Sequence, residues 1–196
     1  MAKLYFRYGT MNSGKSALLL QTAHNYEENG MKVLIVKPKK DTKGNDKVVS
    51  RMGIERPVDL LLDKEDNLFD IVNDNYNDVN CVLVEEAQFL EPKQVDNCMD
   101  IVVNLNIPVI CYGLRTDFQT NLFPGSERLL AIAHTLEEMK TICPCGSKAI
   151  LVGRYVNGEF TIEGEQVAID GEKDVTYRSM CAKCYQREKM KLLIER

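Results

Sequence analysis

The stretch YGTMNSGKSALLL, residues 8–20, decides the fold of this chain. Within it, Gly9, Thr10, Met11, Asn12, Ser13, Gly14, Lys15 and Ser16 satisfy the pattern G-x4-G-K-S/T. The spacing has a physical purpose: the glycines let the backbone curl until successive N–H groups converge on one phosphate. The helix that follows adds the positive end of its dipole and its free N–H groups. Lys15 can then reach the β- and γ-phosphates, and the Ser16 hydroxyl can ligate Mg2+. The pattern alone also describes a turn with a surface lysine, so its flanks matter. KLYFRY, residues 3–8, reads as a β-strand running into the turn. From Lys15 to Asn29, Leu18, Leu19, Thr22, Ala23 and Tyr26 recur at helical spacing, and Gly30 stands where a helix ends. KVLIVK, residues 32–37, is a continuous apolar run of the kind found in a buried parallel strand, closed by Pro38. Strand, glycine loop, helix and strand form one unit, and that unit implies a nucleoside triphosphate site.

Outward from this unit the alternation continues. The polar run KPKKDTKGNDK, residues 37–47, has no periodicity and reads as a mobile, solvated loop. PVDLLLDKEDNLFDIVNDNY is helical in its later part, CVLV at 81–84 is a short buried strand, and PKQVDNCMDIVVNLN has helical periodicity. IPVICYG, residues 107–113, is another buried strand. Strands alternating with helices predict an α/β fold with a mostly parallel sheet covered on both faces. After about residue 140 the pattern changes to short strands, glycines and paired cysteines. A boundary near Met139 divides the chain into an ATP-binding α/β domain, 1–139, and a small C-terminal domain, 140–196.

Composition narrows the function. With 196 residues, 44% hydrophobic and 28% charged, the chain can bury one sizeable core with a small appendage. Its net charge of −4 disfavours a broad nucleic-acid surface. No apolar run approaches the roughly 18 residues of a membrane span, and MAKLYFRYG carries no apolar signal core. A cytoplasmic location is expected. Among seven cysteines, Cys81, Cys98 and Cys111 sit singly in apolar runs and read as buried, inert thiols. Cys143-Pro-Cys145 and Cys181-Ala-Lys-Cys184 form two close pairs, which point to metal more than to disulfides in a cytosolic chain. Four thiolates complete a tetrahedral structural zinc site, against the alternative of adventitious thiols. Such an ion pins both ends of the 35 residues from 146 to 180 and turns them into a closed loop.

The second acidic element of a phosphate site is in CVLVEEAQFL. Glu85 and Glu86 follow a buried strand, and residues at the C-terminal ends of parallel strands face the ligand crevice. Adjacent side chains diverge, so one carboxylate can serve the metal while the other takes a proton from a nucleophile. The alternative is a solvated acidic pair. The chain lacks the Asn-Lys-x-Asp segment of a GTPase and the bulk and basic grooves of a motor. A small-molecule kinase fits, with a lid that keeps water from acting as acceptor.

Beyond these readings, GTMNSGKS, DTK, VSRMG, EEAQF, YGLRTDFQ, CPCG, EGEQVAIDG and YRSMCAKCY make the chain resemble the type II, cytosolic-type thymidine kinases, most closely the bacterial members. The resemblance covers nearly the whole chain. It implies a RecA-like P-loop domain with a zinc-anchored lasso domain. The implied reaction is γ-phosphoryl transfer from MgATP to the 5′-hydroxyl of thymidine. It further implies Glu86 as catalytic base and ATP contacts from residues 9–16, Asp41, Thr42, Lys43, Glu85 and Gln88. Phe118 and Tyr177 would lie beside thymidine, and Met11, Phe89 and Leu114 would line the base pocket. Backbone groups of Val167, Ala168, Ile169, Asp170 and Gly171, within the lasso stretch that starts at Glu165, would bind the thymine. Cys143, Cys145, Cys181 and Cys184 would be the zinc ligands. A homotetramer with feedback inhibition by thymidine triphosphate is implied as well.

The chain departs from the family in two places. Glu85 stands where the family usually has Asp, and Asp170-Gly171 where it usually has two glycines, in a segment about two residues longer before Tyr177. An apolar pocket gains roughly 1–3 kcal/mol from one methyl, so deoxyuridine is expected as a weaker substrate. His24 and His134 receive no role beyond surface or packing. Two other readings compete: a P-loop kinase of a different nucleoside, and a zinc-ribbon ATPase module whose partner is a protein or nucleic acid. Negative charge and the aromatic pair Phe118 and Tyr177 weigh against the second.

Overall fold

Alternation along the strands organises the core. The computed structural model describes residues 1–40, 46–166 and 174–194. In chain order its elements begin with β1 (Leu4–Gly9), α1 (Lys15–Glu28), β2 (Val33–Pro38), β3 (Lys47–Val49), β4 (Glu55–Pro57) and β5 (Leu60–Leu62). They continue with α2 (Leu68–Asn75), β6 (Cys81–Val84), α3 (Pro92–Asp100), β7 (Val109–Leu114), α4 (Pro124–Ile132) and β8 (Thr135–Met139). Strands β5-β2-β6-β7-β1-β8, in that order, form one six-stranded sheet in which every pairing is parallel. Leu34, Val36, Val82, Val84, Val109, Cys111, Leu4 and Phe6 pack on one face with residues of α2, α3 and α4. Ile35, Cys81, Leu83, Ile110 and Tyr112 pack on the other with Leu19, Leu20 and Ala23 of α1. Successive side chains point to opposite faces, so strands covered on both sides read as unbroken apolar runs.

The predicted unit of strand, loop, helix and strand is present as β1, α1 and β2, and α1 ends at Asn29 before Gly30, whose φ is +71°. Cys81, Cys98 and Cys111 are buried, and burial pushes the Cys81 thiol up to about 12. Among the elements that escape the sequence reading are α4, the short strand β5 and the polar edge strand β8. The segment 37–47 differs from a solvated loop at both ends. Lys37 is only 1% exposed and donates to the Lys47 carbonyl at 3.3 Å. It lies two positions after Ile35 on β2, so the pleat turns it to the same face, where Val48 of β3 joins the α1 layer. Lys47 opens the β3–β4 hairpin and pairs with Glu55 across it at 2.7 Å.

After β8 the layers end. β9 (Thr141–Ile142) pairs with β10 (Lys148–Ala149), and β12 (Glu159–Thr161), β11 (Leu151–Val156) and β13 (Val175–Met180) form a three-stranded antiparallel sheet. The last helix, α5 (Ala182–Ile194), packs Tyr185 edge-on against Phe160 at 5.4 Å. Among the described residues no helix is long and apolar enough to cross a membrane.

Candidate active site

The glycine loop joins β1 to α1 at the C-terminal edge of the sheet. Gly14 has φ +81°, a left-handed turn that a residue with a Cβ resists. The loop is already closed on itself: Lys15 Nζ donates to the Thr10 carbonyl at 2.7 Å and Ser13 Oγ to the same carbonyl at 2.9 Å. Gly9 is as constrained, since a Cβ there would lie 2.4 Å from Ser13 Oγ and 2.7 Å from the Met139 carbonyl. The ammonium group and the start of α1 therefore face one small space, where a polyphosphate gains both charge and N–H donors.

Opposite the loop, β6 ends in the acidic pair. Glu85 is 5% exposed, and its Oε1 accepts from Ser16 Oγ at 2.5 Å. Hydroxyl and carboxylate thus meet at one point beside the phosphate loop, a donor set suited to a hard divalent cation. Glu86 takes φ +49° and ψ +42°, a left-handed conformation rare for a residue with a Cβ. That twist turns its side chain away from Glu85 and into the cleft. Strained backbone of this kind collects at functional sites.

The cleft encloses about 560 Å³, the size of a small-molecule site. Residues 11–17 line one side of it, and Lys40 with residues 49–52 of the β3–β4 hairpin lines another. Glu86, Gln88, Phe89, Leu114, Phe118 and Phe123 form the sheet side, with Val152, Gln166, Val175 and Tyr177 from the C-terminal segment opposite. Glu86, Met11, Phe89, Leu114, Phe118 and Tyr177 are therefore brought to one cavity. Gly9, Thr10 and Glu85 lie behind its surface. Asp41, Thr42 and Lys43, and Val167, Ala168, Ile169, Asp170 and Gly171, lie outside the described residues.

Several side chains that the sequence did not flag hold this wall. Arg154 is 9% exposed, stacks over the Phe118 ring at 4.8 Å and donates to the Glu165 carbonyl at 3.0 Å. The Tyr185 hydroxyl donates to the Phe118 carbonyl at 2.6 Å, and Gln166 donates to Asp117 at 3.0 Å. The phosphate loop is tied to the same segment. Thr10 Oγ1 donates to Ser179 Oγ at 3.1 Å, Ser179 donates to the Met11 carbonyl, and Thr141 donates to the Asn12 carbonyl at 3.3 Å. A charge in the middle of the strand LVGRYV was the only legible hint of Arg154; the hydroxyls carry no signature.

Cys143, Cys145, Cys181 and Cys184 converge with all four sulfurs within 4.8 Å of one another. A tetrahedron with metal–sulfur bonds of about 2.3 Å needs sulfurs on the order of 3.8 Å apart, and Cys145 and Cys181 stand at 3.6 Å. Gly146, at φ +86°, closes a turn whose N–H returns to the Cys143 carbonyl at 2.8 Å. The Cys145 thiol is lowered to about 6, first by the Ser147 backbone N–H. The set fits a tetrahedral thiolate-bound metal. Only Cys145 of the four is exposed, and among the described residues the cluster holds no carboxylate or histidine, which gives it the closed character of a structural site.

The family model for thymidine kinase matches residues 2–185. A thymidine kinase of Rhodopirellula baltica is 51% identical over 185 residues, covering 92% of this chain and 86% of its own. One from Haemophilus influenzae is 50% identical over 192 residues, covering 96% of this chain and 98% of its own. Among solved structures, the Pif1 helicase of Candida albicans overlays with a TM-score of 0.43 at 16% identity, over 72% of this chain and 36% of that one. Identity at this level, sustained from end to end, makes the chain a member of the thymidine kinase family.

Proposed function

We propose that the cleft transfers the γ-phosphoryl group of ATP to the 5′-hydroxyl of thymidine, giving thymidine monophosphate and ADP. The observation that carries this reading is the meeting, across one cavity, of the phosphate loop and a strained Glu86 with an aromatic pocket behind it. Lys15 and the N–H groups of residues 13–16 bind and orient the triphosphate. Ser16 and Glu85 would hold Mg2+, which when bound supplies charge neutralisation on the phosphates. Glu86 accepts the proton of the thymidine hydroxyl. Phe118 and Tyr177 bound the nucleoside, with Met11, Phe89 and Leu114 around the base. The hairpin residues 49–52 and the C-terminal segment exclude water from the transferring group.

The four cysteines would hold one zinc ion, which when bound keeps the C-terminal segment folded against the cleft. Residues 1–139 form the ATP-binding unit in this reading and residues 140–196 the unit that covers the nucleoside. Backbone groups of residues 167–171 read the thymine, and Asp41 to Lys43 add ATP contacts, as the family resemblance implies. The same resemblance supports a cytoplasmic homotetramer that salvages thymidine for DNA synthesis and is inhibited by thymidine triphosphate. The direct test measures ADP release from ATP and Mg2+ with and without thymidine. Release that depends on thymidine supports the reading, and another nucleoside working better would reassign the substrate. Hydrolysis stimulated by a protein or nucleic acid, with no nucleoside needed, would replace it.

A further inference from the structure

Gln88 is 1% exposed, yet both ends of its side-chain amide are committed. Its Oε1 accepts from the Leu114 backbone N–H at 3.0 Å, and its Nε2 donates to Glu86 Oε2 at 2.6 Å. The orientation of the amide follows from chemistry. A backbone N–H can only donate, so the end facing Leu114 must be the oxygen and the end facing Glu86 the amide nitrogen. We propose that Gln88 is a positioning residue that holds the Glu86 carboxylate in register with the nucleoside pocket. The proposal rests on the reading of Glu86 as the base.

Three features of the surroundings carry it. First, Glu86 sits in left-handed backbone, which persists only where neighbouring structure imposes it. Gln88 lies on the same turn and grips that carboxylate at one oxygen, leaving Oε1 to meet the nucleoside hydroxyl. Second, the other end of the grip is fixed. Leu114 ends β7 and lines the cavity, and its carbonyl accepts from Ser126 Oγ at 2.5 Å. Gln88 therefore sets the distance between the proton acceptor and the wall of the base pocket. Third, the turn is pressed between two glycines that admit nothing larger. A Cβ on Gly113 would lie 2.8 Å from Gln88 Oε1 and 3.0 Å from its N. One on Gly125 would lie 2.6, 2.7 and 2.9 Å from the carbonyls of Ala87, Leu90 and Gln88. A side chain held this tightly transmits position rather than absorbing movement.

A double-mutant cycle tests the idea. Gln88→Met keeps the volume and removes both hydrogen bonds. Its kcat should fall by about 10–10²-fold, the loss produced by misplacing a reacting group by about 1 Å, with KM for thymidine and ATP near the wild-type values. Gln88→Asn keeps a neutral amide but is one methylene too short to reach both Leu114 and Glu86. It should lose kcat in the same way while binding thymidine normally, and melting curves of both variants separate a positioning loss from a folding defect. In a Glu86→Gln background, Gln88→Met should slow the residual rate no further, because two residues acting as one unit are not additive. A further tenfold loss in the double mutant, a kcat within twofold of wild type in Gln88→Met, or a raised KM for ATP alone would overturn the proposal. Glu86→Gln at a normal rate would overturn it by a different route, since the single mutant alone then shows that the base is elsewhere.

Discussion

The two sides of the cleft are held in different ways. The phosphate side rests on six parallel strands with an apolar layer on each face, the larger containing 20 buried residues among those described. The side proposed to cover the nucleoside rests on a three-stranded antiparallel sheet whose own core, among the described residues, has eight buried residues, three of them Cys143, Cys181 and Cys184. Apolar burial, at roughly 25 cal/mol per Å², is the main stabilising contribution to the first. A core as small as the second calls for another anchor, and a metal held by the four converging sulfurs would supply it. The difference teaches that the two sides should fail differently: the phosphate side by loss of chemistry with the fold intact, the nucleoside side by loss of shape.

Lys15→Ala gives the largest expected effect. Removing a preorganised cation from the transferring group should lower kcat by about 10²–10³-fold or more. The melting temperature should barely move, because Lys15 packs against loop carbonyls and not the apolar core. A mutant with near-normal turnover would break the phosphate half of the comparison.

Cys181→Ser comes next and probes the other half. Purified protein should hold one zinc per chain by metal analysis, and the mutant should hold less. Titration should then show thymidine affinity falling further than ATP affinity. Equal losses, or active protein free of zinc, would end the claim that the metal holds the nucleoside side.

Ser179→Ala sharpens the comparison at the seam between the sides. It removes the donor to the Met11 carbonyl and the acceptor for Thr10. Hydrogen bonds contribute about 0.5–1.5 kcal/mol net, so ATP affinity should weaken by roughly 2–10-fold with zinc content unchanged. No change in ATP affinity would mean that the seam is passive.

Glu85→Asp should have the smallest effect. It withdraws the carboxylate by one methylene from Ser16 and restores the residue usual in the family. Activity should persist with an altered Mg2+ requirement, read from rate against Mg2+ concentration. An inactive Glu85→Asp beside a functional Glu86→Gln would reverse the two acidic roles.

What the sequence reveals follows the same division. On the phosphate side, function and local structure share one stretch of chain, so glycine spacing, strand runs and helical periodicity locate β1, α1, β2, β6 and β7. Strand β8, TLEEM, is an edge strand with polar residues, and β5 is three leucines that also suit a helix, so neither announces itself. Lys37 looks solvated in a lysine-rich run and is buried because a hairpin formed later in the chain covers it. On the nucleoside side, the cysteine pairs are visible but their consequences are not. The stacking of Arg154 on Phe118 joins residues brought together only by folding. The left-handed turn at Glu86 and the grip of Gln88 are equally silent, because a glutamine two positions after a glutamate has no signature.

The seam at Ser179 has a consequence for the order in which the enzyme comes into being. Ser179 lies 168 residues after Met11, and Thr141 lies 129 residues after Asn12. A ribosome therefore delivers the glycine loop first and the hydroxyls that steady it last. While the chain is still growing, β2 can pair with β5 and β6, and β1 joins the sheet only once β7 has emerged, while the Met11 and Asn12 carbonyls still await Ser179 and Thr141. If Ser179→Ala weakens ATP affinity as expected, a chain ended before Ser179 should hold ATP less tightly than one that extends past it.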